Sequence, residues 1–149
     1  MSIAHIITTI NRGGAENQLS QMIFEQKKYE KNISVIFLKG NGYWKKYLES
    51  NNVLCIGPLF PQGNYLSLFC LLQLLRIILK NKFNILHLHM PPSLAVIFIV
   101  RIFFRQYTPA IIYTAHNDEP FFRNIYFEKF LTPKLFVIVD NVIAISKTV

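Results

Sequence analysis

Acidic residues are scarce. Eight Asp and Glu stand against sixteen Lys and Arg, a formal net charge of +8. Such a balance suits nucleic acid, an anionic membrane surface or a phosphorylated small molecule. The bases come in pairs such as Lys27-Lys28 and Lys45-Lys46. No longer basic run marks a nucleic-acid arm, so nucleic acid is not an expected partner. Cysteine is equally sparse. Cys55 and Cys70 sit in apolar stretches with no CxxC and no Cys/His ligand spacing. They offer no metal site, and reduced core thiols fit a cytoplasmic protein. The opening residues lack the basic start and apolar stretch of a signal peptide. A spanning helix needs about 18–20 clean apolar residues, whereas 65–79 is broken by Gln73 and Arg76, and 94–104 by Arg101. The chain is therefore expected in the cytoplasm, attached at most peripherally to the inner face of the membrane. No GxGxxG is present and no acidic residue follows the second predicted strand at the expected place, so a dinucleotide cofactor fits poorly. No other cofactor is expected.

What the chain does have is a core. Apolar residues make up 52% and charged residues 16% of it, which rules out disorder, and 149 residues suffice for one buried domain. Short β-branched runs alternate with longer helical stretches. Strands are predicted at 3–8, 33–38, 53–56, 84–89, 110–114 and 142–145. Helices are predicted at 15–29, 42–50, 65–80, 91 to about 105, and 121 to about 136 with a kink at Pro133. Continuous apolar strands separated by helices specify a Rossmann-like, doubly wound parallel sheet of about six strands with helices on both faces.

In such folds ligands lie beyond the carboxyl ends of the strands, and three segments fall there. The first is Asn11-Arg12-Gly13-Gly14-Ala15-Glu16-Asn17. Its two glycines let a backbone approach a ligand, and the helix N-terminus favours a phosphate. A tight turn needing positive φ accounts for the glycines equally well. The second is His87-Leu88-His89, where alternation puts both histidines on one face. Two histidines suggest a metal pair, yet no third ligand is evident, so packed or hydrogen-bonded rings are favoured and no metal is expected. The third is Thr114-Ala115-His116-Asn117-Asp118-Glu119. There His116 is placed to bond a sugar hydroxyl or carry a proton, and Asn117 or Asp118 to cap the next helix.

Four motifs in order then carry a family resemblance. HIITTINRGGAENQLSQMI resembles the opening strand, GGAE loop and helix of family-four glycosyltransferases with the GT-B fold. NILHLHMPPSLAVIFI is similar to that family's D-x-x-H-x-H strand, with Asn84 in place of the usual Asp. PAIIYTAHND resembles its T-x-H turn, and NVIAISK its strand ending in Ser. The resemblance implies an amino-terminal, acceptor-side domain over 1–149, facing a carboxyl-terminal donor domain that this sequence lacks. It implies retaining transfer from a nucleotide sugar to the hydroxyl of a sugar or lipid-linked acceptor, in surface polysaccharide or glycolipid synthesis. Gly13, Gly14 and Glu16 would lie at the donor diphosphate, His116 at the transferred sugar, and Asn117 and Asp118 near the substrates. A chain truncated in this way is expected to be inactive alone. It would work with a separate donor-domain chain or, as the alternative, act as a non-catalytic subunit positioning a partner transferase. An anionic membrane surface is the remaining expected partner, contacted through the basic-aromatic stretch 43–47.

Overall fold

The computed structural model describes residues 1–103, 109–116 and 125–144. Its strands are β1 (Ser2–Ile7), β2 (Asn32–Phe37), β3 (Leu54–Ile56), β4 (Ile85–His89), β5 (Ala110–Ala115) and β6 (Asn141–Ala144). All pair in parallel, in the order β3-β2-β1-β4-β5-β6. The intervening helices are α1 (Gly14–Gln26), α2 (Lys45–Ser50), α3 (Leu68–Asn81), α4 (Pro91–Phe103) and α5 (Ile125–Phe136). The chain winds outward from β1 to β3, returns to the far side of β1, and winds outward again to β6. This is the doubly wound arrangement predicted from the strand–helix alternation, and its switch point lies between β1 and β4.

Side-chain alternation divides the strands between two cores. One face presents Ala4, Ile6, Ile36, Leu86, Leu88, Ile111 and Tyr113 to Leu74 and Ile78 of α3, Leu94 and Ile97 of α4, and Leu135 of α5. The other presents Ile7, Ile33, Val35, Phe37 and Cys55 to Leu19 and Ile23 of α1 and Leu48 of α2. That second apolar core ends at β1. Beyond it, on β4 and β5, the same face carries His87, His89 and Thr114, all buried.

Local chemistry explains where elements begin. The helix predicted from residue 65 starts at Leu68 because Asn64 builds a turn first. Its Oδ1 accepts from the Leu66 amide at 3.1 Å and its carbonyl from the Ser67 amide at 3.1 Å. Ahead of that turn, Gly57 has φ +142°, and a Cβ there would stand 2.4 Å from the Phe37 carbonyl oxygen. The close approach lets the Leu59 and Phe60 amides bond the Phe37 and Leu38 carbonyls and buries both side chains. Asn84 retains what an Asp would do there. Its Oδ1 accepts from the Ser2 amide at 2.8 Å, clasping the starts of β1 and β4. Pro133 lies inside α5, whose helical assignment continues to Phe136.

Leu74 is 0% exposed and Leu72, two residues away on the same helix, is 50% exposed. Leu74→Ala should lower unfolding free energy by about 2–5 kcal/mol. Leu72→Ala should change it by no more than about 0.5 kcal/mol. Urea unfolding followed by circular dichroism measures both, and equal losses would contradict this packing.

Candidate functional site

The carboxyl edge of the sheet is organised by the loop between β1 and α1. Asn11 ties it to the loop after β2, its Oδ1 accepting from the Asn41 and Gly42 amides at 3.2 Å each. Gly40, at φ +92°, leaves room for the Asn11 amide, which a Cβ would approach to 2.8 Å. Arg12 donates to the Tyr43 hydroxyl at 2.9 Å and lies over that ring at 4.4 Å. The guanidinium is thereby held at the rim, exposed and positive.

Gly13 is the N-cap of α1, in extended conformation at φ −174°, and Gly14 is the first helical residue. Neither has positive φ, so a left-handed turn is not what the glycine pair serves. A Cβ on Gly13 would meet the Glu16 carboxylate, whereas one on Gly14 would meet nothing within 4 Å. No Gly13 side chain exists to cap the helix, and Glu16 in its first turn accepts instead from the Thr9 hydroxyl. The start of α1 thus has open space beside Gly14 and the Glu16 carboxylate beside Gly13, with the dipole that favours an anion.

Beside it runs a file of histidines. His5 and His87 are register partners on β1 and β4, and His89 is the partner of Thr114 on β5. Gln26 Oε1 lies 2.8 Å from His5 Nε2, His5 Nδ1 lies 3.1 Å from His89 Nε2, and His89 Nδ1 lies 3.0 Å from His116 Nε2. An amide oxygen accepts, so His5 donates to Gln26. The remaining tautomers then follow in sequence: His89 donates to His5, and His116 donates to His89. His116 is left with a bare lone pair at Nδ1, a buried atom with no hydrogen-bond partner among the described residues. His87 stands to one side, its Nε2 2.6 Å from Thr114 Oγ1 and its ring 4.3 Å from that of His89. The turn that presents His89 is clamped by buried Ser93, whose hydroxyl donates to the His89 and Met90 carbonyls at 2.8 Å each. Met90 sits there at φ +71°, a region costly for a residue with a Cβ.

Burial governs the charge of these rings. Desolvation, with repulsion from His87, pushes His5 down to about 3, partly opposed by its bond to Gln26. Desolvation, then His116, pushes His87 down to about 4, and desolvation with three neighbouring histidines holds His89 well below the usual range. His116 is lowered by desolvation and raised in part by the nearby Glu16 carboxylate. Gly13, Gly14, Glu16 and His116 therefore share one edge. Asn117 and Asp118, the other two expected site residues, lie outside the described residues. His5, Gln26, Ser93 and Thr114 were not expected from the sequence. The only signal for His5 was a histidine inside an otherwise apolar strand.

A model of Glycosyltransferase Family 4 matches residues 12–149, nearly the whole chain. The chain belongs to that family. Among solved structures, a glycosyltransferase from Rickettsia africae ESF-5 superposes with a TM-score of 0.69 at 16% identity. The match covers 97% of this chain and 37% of that one, so the family-four chain spans about a third of its structural relative and shares its fold. No functionally curated protein matches the sequence.

The buried histidines of this family-four domain should make its stability depend on pH. Their folded values lie below the ordinary histidine value of 6.5, so on acidification the unfolded chain takes up protons first. Stability should be flat above about pH 7 and fall below about 6.5, by up to about 1.4 kcal/mol per pH unit for each ring. The fall should continue as pH approaches the values near 4 and 3 of His87 and His5. Urea midpoints at pH 7.5, 6.0 and 5.0 measure this, and a constant midpoint would mean that the rings are not held neutral.

Proposed function

We propose that residues 1–149 form the acceptor-side half of a retaining glycosyltransferase, acting on a nucleotide-sugar donor and a hydroxyl acceptor. The observation that carries the reading is the juxtaposition at one sheet edge of the α1 N-terminus, with open space beside Gly14, and His116 Nδ1, which has no hydrogen-bond partner among the described residues. Sugar transfer from a nucleotide diphosphate needs two kinds of stabilisation. Negative charge grows on the leaving diphosphate, and the sugar ring gains oxocarbenium character. The α1 dipole and the cation of Arg12 answer the first. His116 answers the second by accepting a hydrogen bond from a sugar hydroxyl, which fixes the ring near its reacting carbon. Asn117 and Asp118 follow His116 directly and are assigned to substrate orientation. The acceptor is a sugar or a lipid-linked sugar, in surface polysaccharide or glycolipid synthesis.

Holding donor and acceptor together supplies much of the rate, and one wall of a cleft cannot do so. The proposal therefore requires a donor-binding half, on the same polypeptide or on a separate one. Residues 1–149 alone should transfer no sugar, and activity should appear with that half present. His116→Ala should then lower kcat by about 100-fold or more, the scale of one hydrogen bond strengthened in the transition state. Gly14→Val should chiefly raise the donor KM. Steady-state kinetics decide, with circular dichroism as the folding control. A folded His116→Ala variant of near-normal turnover would end the catalytic assignment.

The reading also places the protein at the inner membrane face, within the cytoplasm. No described helix is long and apolar enough to cross a membrane, but α3 suits a surface. Its exposed side carries Leu68, Phe69, Leu72 and Leu79 beside Arg76 and Lys80. No acidic residue occurs anywhere between Glu49 and Asp118. The stretch 43–47 is less suited, because Tyr43, Trp44 and Tyr47 pack on one another and on Phe24. Flotation with anionic vesicles should recover the protein at low salt and lose it at high salt, each base contributing about 1 kcal/mol. Phe69→Asp should weaken binding, and equal recovery with neutral vesicles would count against an electrostatic surface.

A further inference from the structure

All four histidines of the chain meet in one group, and the proposed transfer uses only the outermost. The inner three, His5, His87 and His89, are buried, and each offers a ring nitrogen to a set lying within 4.8 Å of one another. What separates them from ordinary core histidines is the fate of the second nitrogen. His5 Nε2 is held by Gln26 Oε1, His87 Nε2 by Thr114 Oγ1, and His89 Nδ1 by His116 Nε2. Every ring is thus oriented by a partner outside the trio, while His5 Nδ1 and His89 Nε2 face each other and Nδ1 is the other nitrogen of His87. Ligating histidines are fixed in this way, with the second nitrogen bonded to an outer group.

We propose that His5, His87 and His89 bind one divalent transition-metal ion of the zinc class, with Gln26, Thr114 and His116 as its outer shell. Three imidazoles without a carboxylate suit zinc, copper or nickel and not calcium or magnesium, which take oxygen ligands. Zinc–nitrogen bonds of about 2.0–2.1 Å in tetrahedral geometry set two ligating nitrogens about 3.3–3.4 Å apart. His5 Nδ1 and His89 Nε2 stand 3.1 Å apart, close to that spacing, whereas the three ligand nitrogens together span up to 4.8 Å, so the rings must draw together on binding. The fourth position falls to water or an anion.

Occupancy has a consequence for His116. With His89 Nε2 bonded to the ion, the proton of that ring must reside on Nδ1 and point at His116 Nε2. His116 then accepts there and carries its own proton on Nδ1. One proton leaves the interior of the file and one is taken up at its outer end, so none is lost overall. The ion thereby converts His116 from an acceptor into a donor at the sheet edge, so the acceptor role proposed above belongs to the metal-free chain. The site itself does not depend on the transferase reading, and its test needs no sugar.

The full chain, stripped of metal by dialysis against a chelator, is titrated with Co²⁺ and then Zn²⁺. One equivalent of Co²⁺ should give the intense visible bands of a four-coordinate ion, and Zn²⁺ should abolish them. His89→Ala should lose the bands. Gln26→Leu and His116→Ala should weaken affinity about 10–100-fold, as loss of outer partners does. Long-range ¹H–¹⁵N spectra of the unaltered chain give a second measure free of folding artefacts. Zinc should shift His5 Nδ1, His87 Nδ1 and His89 Nε2 and move the His116 proton from Nε2 to Nδ1. Absence of stoichiometric uptake, uptake undiminished in a folded His89→Ala variant, or shifts confined to other groups would each overturn the proposal.

Discussion

The pairing of β1 with β4 is the constraint on which the molecule depends. It joins the two winding directions of the sheet, and its register sets His5 opposite His87. A slip of one residue would turn the histidines of β4 into the apolar core under α3 and α4, and Leu86 and Leu88 toward α1. The Asn84–Ser2 clasp at one end and the Ser93 clamp after the other fix the ends of β4 against such a slip. The crevice at its carboxyl end, where ligands bind in folds of this kind, inherits its geometry from this single ladder.

Burial gives the site its character. Glu16 is engaged by Thr9 and influences His116, the ring nearest the edge. Among the described residues the inner rings have no anion beside them and are satisfied by an amide, a hydroxyl and one another. Neutral imidazoles in file are sensitive to anything that reverses the direction of their hydrogen bonds. The chemistry presented at the rim is therefore set in part by the rings buried behind it.

Much of this was legible in the sequence. Strand–helix alternation alone specified six parallel strands, because fully buried strands must be apolar throughout. The GGAE and T-x-H segments were expected at one carboxyl edge, and the strand order brings them there. Two things were hidden. The role of Gly14 could not be separated from a turn glycine until its backbone angles and the open space above it were known. His5 could not be joined to His87 and His89 because strand order and register are long-range properties, set by packing across some eighty residues and not by any local pattern. Gln26, at the last turn of α1, read as a polar position at helical spacing. Its bond to His5 depends on how that helix lies on the sheet.

The strand order also bears on how the protein is made. β2 and β3 join one side of β1 early in synthesis, whereas the other side waits for β4. His5 and His89 are 84 residues apart, so at about 5–20 residues per second the nascent chain spends about 4–17 s with that edge open. Once Ile56 has been made, the emerged portion is a three-stranded ribbon with an unprotected border until β4 follows. Codon usage across residues 38–84 would set how long the border stays open, making translation speed over that stretch a determinant of yield.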